Sequence, residues 1–145
     1  MLLAFHNLVR WVVLITAVVA LVRALRGVGG ADAYATGARR SVAHFVTSLH
    51  VQLLLGLVVF GTSTLTRTAM QDMGTAMKDP ATRFYIAEHP TFMILAVIVA
   101  TLTGIIARRG PDDAVRHRRA GIGVALALGL IIAGMPWERP LFPGF

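Results

Sequence analysis

Residues 83–109 read RFYIAEHPTFMILAVIVATLTGIIARR. The apolar run inside this stretch starts at Pro90 and ends at Ala107, and two arginines follow it. Its length is close to the about 20 residues that an α-helix needs to cross the hydrocarbon core of a bilayer. His89, preceded by Glu88, lies at the start of the run, where an ionisable side chain needs a partner, a ligand or water. The stretch therefore predicts a transmembrane helix with a histidine near one of its ends.

The composition of the whole chain also indicates a membrane protein. Of its 145 residues, 56% are hydrophobic and only 14% are charged, whereas soluble domains carry about 45–50% apolar and about 25% charged residues. The basic residues that give the net charge of +7 lie at the ends of apolar blocks. There they indicate membrane topology and not a surface for nucleic acid, so no nucleic-acid partner is expected. The absence of cysteine excludes thiolate ligands, disulfides and covalently attached haem.

Four apolar blocks are separated by glycine, proline and charged residues, which end helices. They predict helices over about residues 2–25, 40–62, 83–108 and 115–134, with an interfacial loop at 63–82. Short linkers make successive helices antiparallel. The sequence therefore predicts a single all-α transmembrane domain, a four-transmembrane-helix up-down-up-down bundle that crosses the lipid bilayer four times.

The arginines predict how this bundle is oriented. One side of the predicted membrane collects most of them: Arg23, Arg26, Arg39, Arg40, Arg108, Arg109, Arg116, Arg118 and Arg119. On the other side, four basic residues are balanced by four acidic ones: Arg67, Lys78, Arg83, Arg139, Asp72, Asp79, Glu88 and Glu138. Because an excess of basic residues marks the cytoplasmic side, both termini and the loop at 63–82 are expected on the periplasmic side.

The loop at 63–82 contains three methionines at helical spacing, Met70, Met73 and Met77. Residues with this spacing share one face of a helix. The pattern is typical of an amphipathic segment that lies in the outer membrane interface. The alternative is a thioether site for Cu(I), which makes copper the second candidate cofactor.

Three histidines are candidate metal ligands. With a rise of about 1.5 Å per residue, His6 and His89 lie near the outer ends of their helices at similar depth, and His50 lies about 9 Å deeper. Helices one and three are diagonal in such a bundle, so their side chains can build a cofactor site between them. His6 and His89 are the preferred axial ligands of a haem b, and His50 is the substitute. Arg10, one turn from His6 on the same face, is placed to pair with a haem propionate.

Other roles for these residues remain open at this stage. Membrane-buried histidines also form hydrogen bonds between helices, and Arg10 can extend outward to the headgroups. Glu88 does not share the face of His89, and a capping or proton-handling role is expected for it. His44 and His117 lie among arginines at the cytoplasmic ends of helices. An interfacial, solvated role is expected for His117, and His44 is expected to be somewhat more buried and a better candidate ligand. No HExxH motif, nucleophile elbow or phosphate loop is present, which favours an electron carrier or accessory subunit over a stand-alone enzyme.

Four segments occur in a familiar order: HNLVRWVVL from His6, LHVQLLLG from Leu49, RFYIAEHPTFM from Arg83, and PWERP near the end. Together they resemble a family of small four-helix bacterial inner-membrane proteins labelled cytochrome b-like. The resemblance spans nearly the whole chain and implies haem binding in the bacterial inner (cytoplasmic) membrane. It leaves open which two of the three matching histidines ligate, and it does not include His44 or His117. The residues it implicates are His6, Arg10, Trp11, His50, Gln52, Arg83, Glu88 and His89.

Two functions from different classes follow. The first is a haem b electron carrier between the quinol pool and a periplasmic or complex-bound acceptor. The alternative is a non-catalytic accessory or assembly subunit of a larger respiratory or photosynthetic membrane complex, with a homo-oligomer as a further form of assembly. A copper-handling membrane protein is the third and weaker hypothesis.

Overall fold

The computed structural model describes residues 1–29 and 32–137, and this part of the chain is almost entirely helical. A π-helical turn, Phe84–Glu88, lies between two of the helices. The α-helices in chain order are α1 Leu2–Gly27, α2 Ala38–Thr62, α3 Thr64–Gln71, α4 Met73–Ala76, α5 Pro80–Arg83, α6 His89–Arg108 and α7 Asp113–Ala133.

Within the described residues, three helical segments are long and apolar enough to cross a membrane: Leu2–Gly27, Ala38–Thr62 and Pro80–Arg108. The last of these combines α5, the π-helical turn and α6 in one continuous run. The prediction of an all-α fold with helices long and apolar enough to span a membrane is therefore confirmed. Helix α7 differs because three arginines occupy its first turns, so that its uncharged stretch covers only residues 120–133. This stretch is shorter than the about 20 residues of an ordinary span.

The long helices pack side by side, with close contacts between α1 and α2 and between α6 and α7. Thr16 of α1 and Ser48 of α2 share a hydrogen bond of 2.9 Å between their hydroxyl oxygens. On the other side of the bundle, the face of α7 at Gly123 lies directly against the side chain of Thr103 of α6. Small side chains fill these contacts and let the backbones approach closely, which is how membrane helices associate. The fully buried alanines are Ala17, Ala20, Ala24, Ala96, Ala107, Ala120 and Ala127.

The arginines identified in the sequence lie together at one end of the bundle. There, Arg23 of α1 donates a hydrogen bond to Ser41 of α2 at 3.1 Å, and Arg119 of α7 donates to the Ile106 carbonyl of α6 at 3.4 Å. The opposite end contains the start of α1, the end of α2 and the start of α6. We refer to the arginine-rich end as the basic end and to the other as the distal end.

The observed helix bounds differ from the predicted ones mainly at the distal end. Residues 63–82, predicted as an interfacial loop, form α3, α4 and the start of α5. Asp72 and Asp79 each accept a hydrogen bond from a backbone N–H three residues later, which fixes the starts of α4 and α5. Helix α1 extends to Gly27, two residues beyond its predicted end. Glu138 and Arg139, which enter the predicted charge balance, lie outside the described residues.

Candidate functional site

A cavity of about 430 Å³ opens between the long helices at the distal end. Its volume falls within the range of about 300–1,000 Å³ that small-molecule and cofactor sites occupy. Most of its wall is apolar, with leucine, valine, isoleucine and methionine side chains from α1, α2, α6 and the end of α7. A few polar side chains interrupt this wall: His6, Asn7, Arg10, Gln52, Ser63, Thr66, Tyr85 and His89.

Two of the predicted ligands, His6 and His89, face each other in this cavity. Their ring centroids are 6.3 Å apart and their ring planes are inclined by 80°. The rings come from α1 and α6, which are not neighbours in the chain, so the bundle brings them together from opposite sides. This pair is the geometric centre of the candidate site.

The local backbone and one carbonyl orient His89. The residue follows the π-helical turn, and its N–H bonds the Phe84 carbonyl five residues earlier. Pro90, next in the chain, has no N–H to continue the regular α-helical ladder. His89 Nδ1 donates to the Gly134 carbonyl oxygen at 2.7 Å. In a neutral imidazole, this bond leaves the lone pair on Nε2, the nitrogen with which such a histidine binds a metal.

Gln52 of α2 orients His6 in a comparable way. The side-chain amide nitrogen of Gln52 donates to the backbone oxygen of His6 at 2.9 Å, and it lies 3.3 Å from His6 Nε2. Because an amide NH₂ can only donate, His6 Nε2 carries the lone pair here. The His6 Nδ1 atom is buried and has no hydrogen-bond partner among the described residues. A Cβ atom at Gly56 would lie 3.1 Å from His6 Cε1, so the glycine leaves room for the ring.

Arg10 is one turn from His6 on α1 and also lines the cavity. Only 8% of its surface is exposed. The alternative in which Arg10 extends outward to the lipid headgroups is therefore wrong. Its guanidinium instead faces the inside of the bundle, where it places a positive charge beside the two imidazoles.

Four other predicted site residues lie outside this cavity. His50 is exposed on the outer surface of α2, and its Nδ1 donates to the Val46 carbonyl of its own helix at 2.8 Å. Trp11 is half-buried. Arg83 and Glu88 form an ion pair of 2.7 Å across the π-helical turn, with side chains that are 40% and 41% exposed. Of the eight predicted residues, the cavity therefore brings together His6, Arg10, Gln52 and His89.

The position of His50 corrects its proposed role as substitute ligand. Its ring is held against its own helix and does not reach the pair formed by His6 and His89. In the described part of the chain, no three histidine or carboxylate side chains gather in a group that would hold a bare metal ion. The three loop methionines, Met70, Met73 and Met77, are exposed.

His117 also differs from its expected solvated role, because only 1% of its surface is exposed. Its Nε2 donates to the Asp32 carbonyl at 3.1 Å, and its ring meets the edge of Tyr34 with centroids 5.2 Å apart. A Cβ atom at Gly27 would overlap the imidazole, so the glycine that ends α1 makes room for it. The basic neighbours of His117 in the sequence gave no sign of this burial.

Sequence reasoning missed several groups that shape the cavity. The Gly134 carbonyl that binds His89 is a backbone atom with no signature in the side-chain pattern. Tyr85, Met93 and Met135 line the wall, although they stand in the sequence among other apolar and aromatic residues. Nothing in the sequence marks the glycines at 56 and 134 as neighbours of the histidines.

The spacing of the two imidazole centroids is close to that of two rings on opposite sides of one metal. With a metal–imidazole bond of about 2.0 Å and a ring nitrogen about 1.2 Å from its centroid, two rings on opposite sides of one metal have centroids about 6.4 Å apart. The observed distance is 6.3 Å. His89 presents its Nε2 lone pair for ligation. The Nε2 lone pair of His6 accepts from the Gln52 amide at 3.3 Å, so ligation through this atom would replace that hydrogen bond.

Comparison with protein-family models, with curated proteins and with solved structures found no significant match to this chain.

Proposed function

We propose that the chain binds haem b between His6 and His89 and carries electrons within the membrane. The observation that supports this most strongly is the pairing of the two imidazoles, 6.3 Å apart, across an apolar cavity. An imidazole in a membrane interior is rare and is typically retained for a function. Two of them at metal-bridging distance favour a shared metal over two separate structural hydrogen bonds.

The number of available protein ligands favours haem over a bare ion. His6 and His89 supply two nitrogens, and no third histidine or carboxylate joins them in the described part of the chain. A bare copper or zinc ion usually takes three or four protein ligands. A porphyrin supplies four nitrogens itself, so two axial imidazoles complete the coordination of its iron.

The other side chains of the cavity have roles that suit this cofactor. Arg10 supplies a buried positive charge that pairs with a propionate. Gln52 and the Gly134 carbonyl hold the two imidazoles in position. The apolar wall excludes water and lowers the local dielectric constant, which tunes the reduction potential. Haem itself supplies a one-electron change at iron.

The proposal includes four crossings of the bacterial inner membrane with both termini in the periplasm. Helix α7 is packed antiparallel to α6 over its length, and its arginines lie at the basic end, where they can extend to lipid phosphates. With the basic end in the cytoplasm, the haem cavity lies near the periplasmic surface. That position suits electron transfer from quinol to a periplasmic or complex-bound acceptor.

An absorption spectrum of the full-length chain, purified in mild detergent from cells supplied with haem, tests this proposal. We expect a Soret band, a reduced-minus-oxidised α band, and about one haem for each chain, because one pair of axial ligands is present. His6→Ala and His89→Ala each lose the bands. His50→Ala is the matched control and retains them, because its ring lies outside the cavity. Colourless wild-type protein would overturn the proposal, and metal analysis of that protein would show whether copper takes the site.

A further inference from the structure

The basic end of the bundle contains a second cavity, of about 370 Å³. It lies between the last turns of α1, the linker to α2, the first residue of α2 and the buried imidazole of His117. We propose that this cavity binds a phosphate group, and that the headgroup of an anionic membrane lipid supplies it. This inference concerns the end of the bundle opposite the haem cavity and does not depend on haem binding.

Two arginines give the cavity its charge. Arg23 and Arg26 are three residues apart on α1, so they share a face of the helix, and both line the cavity. Arg23 is fixed by its hydrogen bond to Ser41 of α2 at 3.1 Å. The lining also includes one carboxylate, that of Asp32. The two guanidinium groups therefore outweigh it and leave the cavity positively charged.

Further arginines strengthen this field from the surrounding helices. Burial raises the pKa of the Tyr34 phenol, which packs on His117, while the nearby charges of Arg108, Arg39 and Arg116 act in the opposite direction. These three arginines come from α6, α2 and α7, and the charge of Arg116 is offset by its ion pair with Asp113 at 2.9 Å. A phosphate with its negative charge is the complementary ligand.

The start of α2 adds backbone donors. Helix α2 has 25 residues, and its N-cap is Gly37, which has no side chain to bind the first N–H groups. Gly37 and Ala38 both line the cavity. Of the first N–H groups of α2, that of Arg39 already donates to the Tyr34 carbonyl at 3.1 Å. The others, together with the positive end of the helix dipole, favour an anion at this position.

His117 provides an independent indication that the cavity receives a polar ligand. The residue lines the cavity and is 1% exposed, and its Nε2 is occupied by the Asp32 carbonyl. Its Nδ1 is buried and has no hydrogen-bond partner in the part of the chain that the structure describes. A buried nitrogen without a partner is costly. Because Nε2 carries the proton, Nδ1 of the neutral ring is an acceptor, and a headgroup hydroxyl that donates to it would satisfy it.

The position of the cavity favours a lipid as the source of the phosphate. It lies where α1 ends and α2 begins, among the clustered arginines. This is the level of the headgroups. Basic pockets between transmembrane helices on the cytoplasmic side bind anionic headgroups. A soluble phosphate offers the same chemistry, so the experiment must separate the two sources.

Native mass spectrometry of the full-length chain tests this inference, with phosphatidylglycerol and phosphatidylcholine as lipid probes. We expect one phosphatidylglycerol to be retained by the wild-type chain in preference to phosphatidylcholine. In Arg23→Gln/Arg26→Gln, its binding should weaken about 25-fold, because each basic residue near an anionic lipid contributes about a factor of five. The matched control is Arg118→Gln/Arg119→Gln, which removes the same charge at the same end but outside the cavity. Circular dichroism establishes that both double variants are folded.

The outcomes are distinct. Loss of the lipid in the Arg23/Arg26 variant alone supports the site, whereas equal loss in both variants indicates a diffuse surface charge and overturns it. Equal retention of both lipids by the wild-type chain also overturns it. In a parallel arm, inorganic phosphate at millimolar concentration is added. If it displaces phosphatidylglycerol and binds the lipid-free chain, the phosphate site stands but a soluble anion is its source; if it does neither, the lipid is confirmed as the ligand.

Discussion

At the scale of single residues, the histidines divide by the direction in which their helices point them. His6 and His89 face the interior of the bundle, whereas His50 faces outward from α2. The buried positions of α2 include Leu49 and Gln52, which are three residues apart and lie on the same face. His50 follows Leu49 by one position, about 100° around the helix, and is therefore turned away from the core.

The directions in which the histidines point could be predicted from the sequence only in part. Depth along the membrane follows from residue number, and it correctly suggested that His6 and His89 lie at one level. The sequence did not show which face of α2 points to the core, because lipid-facing positions of a membrane helix are as apolar as buried ones. The exposed Val51 and Leu54 illustrate this, since they resemble core residues in the sequence.

The first prediction concerns Gly56. An alanine here brings a Cβ atom to 3.1 Å from His6 Cε1, so the ring must shift by a few tenths of an ångström. We expect Gly56→Ala to shift the haem bands and to reduce haem occupancy several-fold. Gly61→Ala is the control, because no neighbouring atom lies within 4 Å of the new Cβ, and it should leave the spectrum unchanged. The test compares absorption spectra of the two variants. Identical spectra for Gly56→Ala and Gly61→Ala would contradict the placement of His6.

At the scale of helices and turns, the site depends on how α6 begins. The chain enters α6 through a π-helical turn, and the adjacent Pro90 cannot donate a backbone hydrogen bond. The turn places His89 where its Nδ1 reaches the carbonyl at Gly134, just beyond the end of α7. The sequence predicted a helix starting near this position, but not the π-helical turn, because the widened hydrogen-bond pattern leaves no periodic signal.

A second prediction tests the packing of α6 against α7. A Cβ atom at Gly123 would overlap the Thr103 side chain and lie 2.7 Å from its Cβ. We expect Gly123→Ala to reduce stability by about 1–3 kcal/mol, the usual cost of overpacking. Gly129→Ala is the matched control on the same helix, since nothing lies within 4 Å of that position. The midpoint of thermal unfolding in detergent is measured for both variants. Equal midpoints would show that α6 and α7 do not pack as described.

A third prediction concerns pH at the start of α4. Hydrogen bonds from the Thr75 side chain and backbone N–H lower the pKa of Asp72 below its ordinary value of 3.8. A carboxylate with a lowered pKa stabilises the folded turn above 3.8, and this contribution is lost as the pH falls through the lowered value. Carboxyl ¹³C NMR titration should show Asp72 titrating below 3.8. Thr75→Val, which removes the hydroxyl, should raise the Asp72 pKa, and an unchanged titration would contradict the hydrogen bond.

At the scale of the whole molecule, the two ends of the bundle have different chemistry. The distal end contains an apolar cavity with two imidazoles, and the basic end contains a cavity lined by arginines. The arrangement of charge was readable from the sequence because the arginines sit beside the ends of apolar blocks. The burial of His117 was not readable, because it depends on the missing side chain of Gly27, 90 positions earlier in the chain.

A fourth prediction tests the orientation of the bundle in the membrane. The chain has no cysteine, so single cysteines can report accessibility without further mutation. In intact cells, Gln71→Cys at the end of α3 should react with a membrane-impermeant maleimide that reaches the periplasm. Ala35→Cys, in the linker at the basic end, should react only after the inner membrane is permeabilised. Both positions are exposed in the structure. The reverse pattern of labelling would contradict the proposed orientation.

Electron paramagnetic resonance of the oxidised, purified chain measures most directly whether His6 and His89 hold one iron. Two axial imidazoles give a low-spin ferric haem. Because the ring planes are inclined by 80°, the two iron d orbitals with which they mix are nearly equal in energy, and the signal should be strongly anisotropic. The signal should persist in His50→Ala and disappear in both His6→Ala and His89→Ala. A high-spin signal in the wild-type chain, or a low-spin signal that survives both of these substitutions, would contradict the account.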